Sequence, residues 1–283
     1  MTPTKALFLL AIIVPSVALA DDTGLLTAQG FGTVDAERYK GPQAKMLARR
    51  AAVVDGRRNL LEVIDGVRIT SGTTVKDLTL ESDLIGTRVK GMLQGAFVTS
   101  ENLYEDSGSW IAEVEMAICM TGGPKACVSK PTLAQLMQPE LVAPAPSAMF
   151  MADNAVLSDG QSSEESSAAS ALAAAASTGL IVDVTAQDFS PMLDVRVRTK
   201  DGKELYGPGH VKSGSDWLHW AKSVDSAREL TDIVGSAPLV VAVESMGASS
   251  ELVVSQDIAI DIFQKNVKGG DFLNQGKVIF VVK

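Results

Sequence analysis

Histidine occurs twice in the 283 residues and cysteine twice. His210 and His219 lie far along the chain from Cys119 and Cys127, which argues against a shared metal site. Aromatic residues make up only 5% of the chain, so any core must be built from Ala, Val, Leu, Ile and Met. Basic residues are also in the minority, 25 against 34 acidic, for a formal net charge of -9. A general nucleic-acid binder needs basic surface to neutralise phosphates, and loose adsorption to anionic lipid needs it too. Neither glycine pattern for nucleotide phosphates occurs, and there is no nucleophile elbow. After the first twenty residues no run is long and apolar enough to span a bilayer.

What is present begins with an export signature. Lys5 supplies a positive start, residues 6–14 form a short apolar run, and Pro15 interrupts it. Ala18, Leu19 and Ala20 then give the small-residue cleavage pattern of a secretory signal. A membrane anchor is the competing reading, but the run falls well short of the ~20 residues a span requires. The expectation is cleavage after Ala20 and a periplasmic mature chain with no lipidation cysteine. Export would place Cys119 and Cys127 where disulfides persist. Cys119 closes an expected strand and the turn at 121–124 brings Cys127 back, so a small loop-closing disulfide is expected. A pair of free thiols is the alternative.

The expected fold class is α+β, with two small α+β domains joined by a flexible linker. The divisions are a signal peptide (1–20), a first domain (21–128), a Pro/Ser/Ala-rich linker (129–178) and a C-terminal domain (179–283). In the first domain, residues 25–35 read as an entry strand weakened by Gly30 and Gly32. A long helix follows from about Pro42, whose missing N–H suits a first turn. At 100° per residue, Met46, Leu47, Ala51, Val53, Val54, Leu60, Leu61 and Ile64 share an apolar arc, and Gly66 takes the place of a left-handed cap. Arg50 and Arg57 project from that arc. Each must snorkel, pair internally, face a partner or bind an anion, and with Arg58 they are candidate oligomer contacts. Residues 67–70 alternate as a strand and 71–74 as a turn. Residues 81–94 read as a short helix with Leu84, Ile85, Val89 and Leu93 inward. A hairpin closes the domain, with Trp110, Ala112, Val114, Met116, Ile118 and Met120 on one face at period two. The order is β-α-β-α-β-β, two helices on one antiparallel-rich sheet.

Residues 51–67, with Ala51-Ala52, Asp55-Gly56-Arg57-Arg58-Asn59-Leu60 and Ile64-Asp65-Gly66-Val67, resemble the signature of a Gram-negative envelope family. Thr73-Thr74-Val75, Val89-Lys90-Gly91 and Gly95-Ala96 follow in order. The family includes the flagellar outer-membrane lipoprotein P and the N-terminal domain of flagellar assembly protein T. The resemblance covers about residues 28–120. It implies a non-enzymatic, oligomeric structural or assembly component associated with the flagellar basal body or outer membrane. Its partners would be copies of itself and other envelope or basal-body proteins, with no cofactor and no nucleic acid.

The linker carries Pro131, Pro139, Pro144 and Pro146, then a Ser/Glu-rich stretch and an alanine run. It reads as a tether, or as a segment that orders on a neighbour. In the second domain strands are expected at 180–184, 193–198, 204–206, 239–243, 252–255 and 278–282. Helices are expected at 215–221, 226–234 and 256–267. Residues 179–183, 201–202, 205–208 and 253–255 resemble a domain that follows the first in some long envelope relatives. Ser215, Asp216 and His219 are too close in sequence to form a triad, which is assembled from distant segments. Trp217, His219 and Trp220 are the candidate platform for the rival function, a soluble periplasmic module binding a small ligand or glycan.

Overall fold

The computed structural model describes residues 24–35, 37–142, 176–212 and 214–283. The expected signal sequence and most of the expected linker lie outside the described residues. The class is α+β, in two modules.

The first module orders as β1 (Leu25–Thr33), α1 (Gly41–Asp65), α2 (Val75–Glu81), α3 (Asp83–Gln94), β2 (Phe97–Asp106) and β3 (Ser109–Cys119). Its three strands form one antiparallel sheet in the order β1-β3-β2. The β2–β3 turn is Ser107–Gly108, both residues with positive φ (50° and 81°), as a two-residue hairpin of this twist requires. The inward face of β3 is the alternating set expected from its sequence, with Ala112, Val114, Met116 and Ile118 buried.

Helix α1 forms where expected but buries a different side. Its inward residues are Ala44, Ala48, Ala52, Gly56, Leu60 and Ile64, a four-residue repeat of mostly small side chains. Met46 and Val54 are each 67% exposed. The cause lies in β1. A Cβ on Gly30 would stand 2.3 Å from the Ala52 carbonyl oxygen, and one on Gly32 would stand 2.2 Å from that of Ala48. The helix therefore rests on bare strand backbone, and only small residues fit its contact face. The two glycines are the docking surface rather than a weakness of the strand. Asp55 and Asn59 complete the contact. Asp55 Oδ2 accepts the Phe31 N–H at 3.0 Å, and Asn59 Nδ2 donates to the Gln29 carbonyl at 2.8 Å. These side chains satisfy backbone groups on the outer edge of β1, where no strand pairs.

Three local expectations change. Gly66 ends α1 with φ of -78°, so it is not a left-handed cap. Residues 67–70 form no strand beyond a single bridge from Arg68 to Thr74. The expected two helices are three. Thr74 and Asp77 make a reciprocal capping box that starts α2 within the expected turn. In α3 it is Met92 that is buried with Ile85 and Val89, while Leu84 is 56% exposed.

The second module adds two four-stranded sheets. One is all parallel, in the order β7 (Trp220–Ala221), β11 (Val278–Val281), β4 (Leu180–Asp183), β8 (Leu239–Ala242). The other has the order β6 (Glu204–Tyr206), β5 (Val197–Thr199), β10 (Leu252–Val254), β9 (Ser245–Met246). Helices α5 (Val224–Glu229), α6 (Thr231–Val234) and α7 (Gln256–Lys268) complete it. Residues 215–221 are not the expected helix. Trp217, Leu218 and His219 are buried in succession, which an extended segment enclosed on both sides can do, and β7 follows. Helix α7 joins strands of different sheets, so 252–281 is not one parallel unit.

The modules share one continuous hydrophobic core running from Leu26 to Phe280. The expected linker opens with a packed helix, α4 (Leu133–Val142), burying Leu133, Met137 and Leu141. Buried Gln138 donates to the carbonyls of Pro208 and Val211 at 2.9 and 3.1 Å and accepts the Gly214 N–H at 3.1 Å. Arg196 Nη2 donates to the Leu141 carbonyl at 2.7 Å, and its other nitrogens hold Asp194 and Glu204. The extended stretch at 67–70 also meets the second module, since the Arg68 and Ile69 carbonyls accept from the Leu193 and Asp194 N–H groups.

The glycine contacts predict opposite signs at two sites. Gly32→Ala should lower the free energy of urea unfolding by about 3 kcal/mol or more, because the clash is with backbone. Gly91→Ala, in α3 with open space around it, should raise it by roughly 0.5–1 kcal/mol.

Candidate functional site

Two surfaces stand out, and the modules build the first together. Beyond β3 the chain turns through 121–124 into a short 3-10 helix (Lys125–Cys127). Cys119 and Cys127 are joined as a disulfide, with Cα atoms 5.7 Å apart, so this loop is covalently closed. It faces β7 and the turn between α5 and α6. Between them lies a cavity of about 430 Å³, walled by Leu25, Pro124 and Ala126 on one side and His219, Trp220 and Ile233 on the other. The seam is close-fitting: a Cβ on Gly122 would fall 1.7 Å from Asp216 Oδ2. Asp216 Oδ1 accepts from Gln135 Nε2 of α4 at 2.8 Å.

His219 is the polar centre of this cavity. It is 6% exposed, and its Nδ1, shut off from bulk water, has no hydrogen-bond partner. Burial pushes its pKa down to about 4, so the imidazole is neutral at pH 7. Trp220 beside it is half-buried and packs on Phe280 and Phe189 at ring-centroid distances of 5.6 and 6.0 Å. Trp217 does not join them as a platform. It is wholly buried, does not line the cavity, and its carbonyl accepts from Tyr206 Oη at 2.6 Å. The loop 121–126 is the part that sequence reasoning missed, because it comes from the other module.

The second surface belongs to the first module. Arg50, Arg57 and Arg58 are exposed on α1 and make no ion pair among the described residues. They share the outer side of the helix with Met46 and Val54. Of the first half of the apolar arc expected to face the core, Met46 and Val54 are thus exposed, while Leu47, Ala51 and Val53 are half-buried. On the opposite side of the domain the open face of the sheet carries Glu113 and Glu115, flanked by Phe31 and Gln29 of β1 and Asn102 and Ser100 of β2. Phe31 is 54% exposed. Tyr104 Oη donates to Glu113 at 3.0 Å, and Thr99 Oγ1 donates to Glu115.

Among the described residues no group of three His, Cys, Asp or Glu side chains could hold a metal ion. No described helix is long and apolar enough to cross a membrane.

Residues 179–283 match the family model described as the second domain of Treponema pallidum Tp0624. The match covers the second module alone. No curated protein matches the chain.

The buried imidazole fixes a pH dependence. An unfolded histidine titrates near 6.5, so between there and about pH 4 the unfolded chain binds a proton that folded His219 refuses. His210, also depressed by burial despite the nearby Glu204, acts in the same direction. The Asp194 and Asp216 carboxyls, raised by burial, act in the opposite direction at the acid end. Stability should fall as pH drops through this window, with His219 alone contributing about 3 kcal/mol in full. Urea midpoints measured from pH 7 to pH 4.5 should show the loss, and His219→Gln should remove most of the slope.

Proposed function

We propose that this chain is a non-enzymatic structural component of a Gram-negative cell envelope, exported to the periplasm, which assembles by contact between copies. The observation that carries this reading is the division of charge on the first module. One side of α1 presents arginines 50, 57 and 58 among the exposed apolar side chains of Met46 and Val54. The open sheet face presents the carboxylates of Glu113 and Glu115 beside exposed Phe31. Each side has the charge and apolar content the other would match. Contact between unlike surfaces of identical chains generates rings when the rotation closes and filaments when it does not.

The resemblance of residues 51–67 to the flagellar envelope family supports the same reading. It adds the flagellar basal body or outer membrane as the site of assembly, with other envelope proteins as further partners. Outer-membrane association through such partners belongs to the same reading. The shared core supports a role in which the two modules act as one stiff unit.

Sedimentation velocity on the mature chain tests the assembly contact. The wild-type protein should sediment as oligomers at low salt and shift toward monomer at about 0.5 M salt, where screening is strong. Arg50→Glu/Arg57→Glu and Glu113→Lys/Glu115→Lys should each give monomer alone, and mixing the two should restore large species. A wild-type chain that stays monomeric at high concentration sinks the proposal, as does a mixture that fails to reassemble. Loss of a basal-body density in cells lacking the gene, imaged by electron cryotomography, would support the flagellar placement.

A further inference from the structure

The cavity at the seam goes beyond the assembly reading and is independent of it. Five of its wall residues are aliphatic: Leu25, Pro124, Ala126, Leu230 and Ile233. Its volume of about 430 Å³ lies within the range of small-molecule sites, roughly 300–1,000 Å³. Such sites pair an apolar lining with few, placed polar groups. Here the placed groups are His219 and Thr121, both in the lining.

We propose that this cavity binds an uncharged, flat, largely apolar molecule carrying one hydroxyl, of the phenol class, with the ring lying among Trp220, Pro124 and Ile233 and the hydroxyl meeting His219. Each nitrogen of a neutral imidazole either donates or accepts, according to the tautomer, and a hydroxyl can meet it in either state. A carboxylate would need a buried cation, and Lys125, the one Lys or Arg in the lining, is exposed. The aromatic wall favours a ring over a chain, since Trp220 is already held against Phe280 and Phe189 and offers a fixed surface. The opposite wall is equally fixed, because the Cys119–Cys127 disulfide closes the loop that forms it. Walls set in advance lower the ordering cost of binding.

Because the walls come from both modules, an occupant would also hold them together. A bound phenol should therefore raise the unfolding temperature of the full chain as well as register in a direct binding assay.

The test uses 4-fluorophenol and fluorobenzene as probes on the mature full-length chain, followed by fluorine NMR line broadening and thermal unfolding. The expected result is saturable binding of 4-fluorophenol, about tenfold tighter than fluorobenzene, as one added hydrogen bond allows. Ala126→Trp fills the cavity from an exposed wall position and should abolish binding of both probes while leaving the unliganded fold intact. His219→Phe should reduce 4-fluorophenol to the level of fluorobenzene. If that variant fails to fold, Ala126→Trp alone decides the location. No saturable binding of 4-fluorophenol, or binding undiminished in Ala126→Trp, overturns the proposal. Equal affinity for the two probes overturns the role of the hydroxyl. None of these outcomes depends on the oligomeric state, so failure here leaves the assembly reading untouched, and failure of that reading leaves this one.

Discussion

The first module depends on one close approach, that of helix α1 to the backbone of β1. Gly30 and Gly32 leave no side chains between them, so Ala48, Ala52 and Gly56 sit directly on the strand. Much else follows. The small stripe must point inward, so the larger residues at 46 and 54 must point out. Asp55 and Asn59 come within reach of the strand's outer edge and bond to it. Arg50, Arg57 and Arg58 of the same helix are thereby turned to solvent, where they need no internal partner.

This constraint explains what could and could not be read from residues in a row. The β3 face was legible because every second position is apolar and the strand packs on one side only as far as Glu115, both sides being buried from Met116 to Cys119. Helix α1 was legible as a helix, but its orientation was not. Hydrophobic periodicity weighs Met46 and Val54 heavily and alanine lightly, whereas burial was decided by how close two backbones come. The glycines were visible and their meaning was not, since a glycine in a strand also marks weakness. Helix α2 carried a readable start signal in Thr74 and Asp77, hidden among turn-forming neighbours.

The cavity was legible only in half. The aromatic and histidine cluster was apparent near 217–220, yet its members diverge: Trp217 enters the core while His219 and Trp220 turn to the seam. Their facing wall lies some ninety residues earlier in the chain and belongs to what reads as a separate domain. The start of the expected linker misled for a related reason. Its prolines suggest a tether, but α4 tolerates Pro139 and buries Leu133, Met137 and Leu141 between the modules.

Gln138 shows what that insertion means for the portability of the second module. Its one side chain closes three backbone groups at 208, 211 and 214. A protein that carries this module without α4 inherits the same three groups in need of partners. It must supply a helix of its own there, admit ordered water, or recruit another chain. Sequence boundaries that begin at residue 179 therefore cut through a physical unit, and the segment that truly completes it travels upstream, among residues that look like spacer.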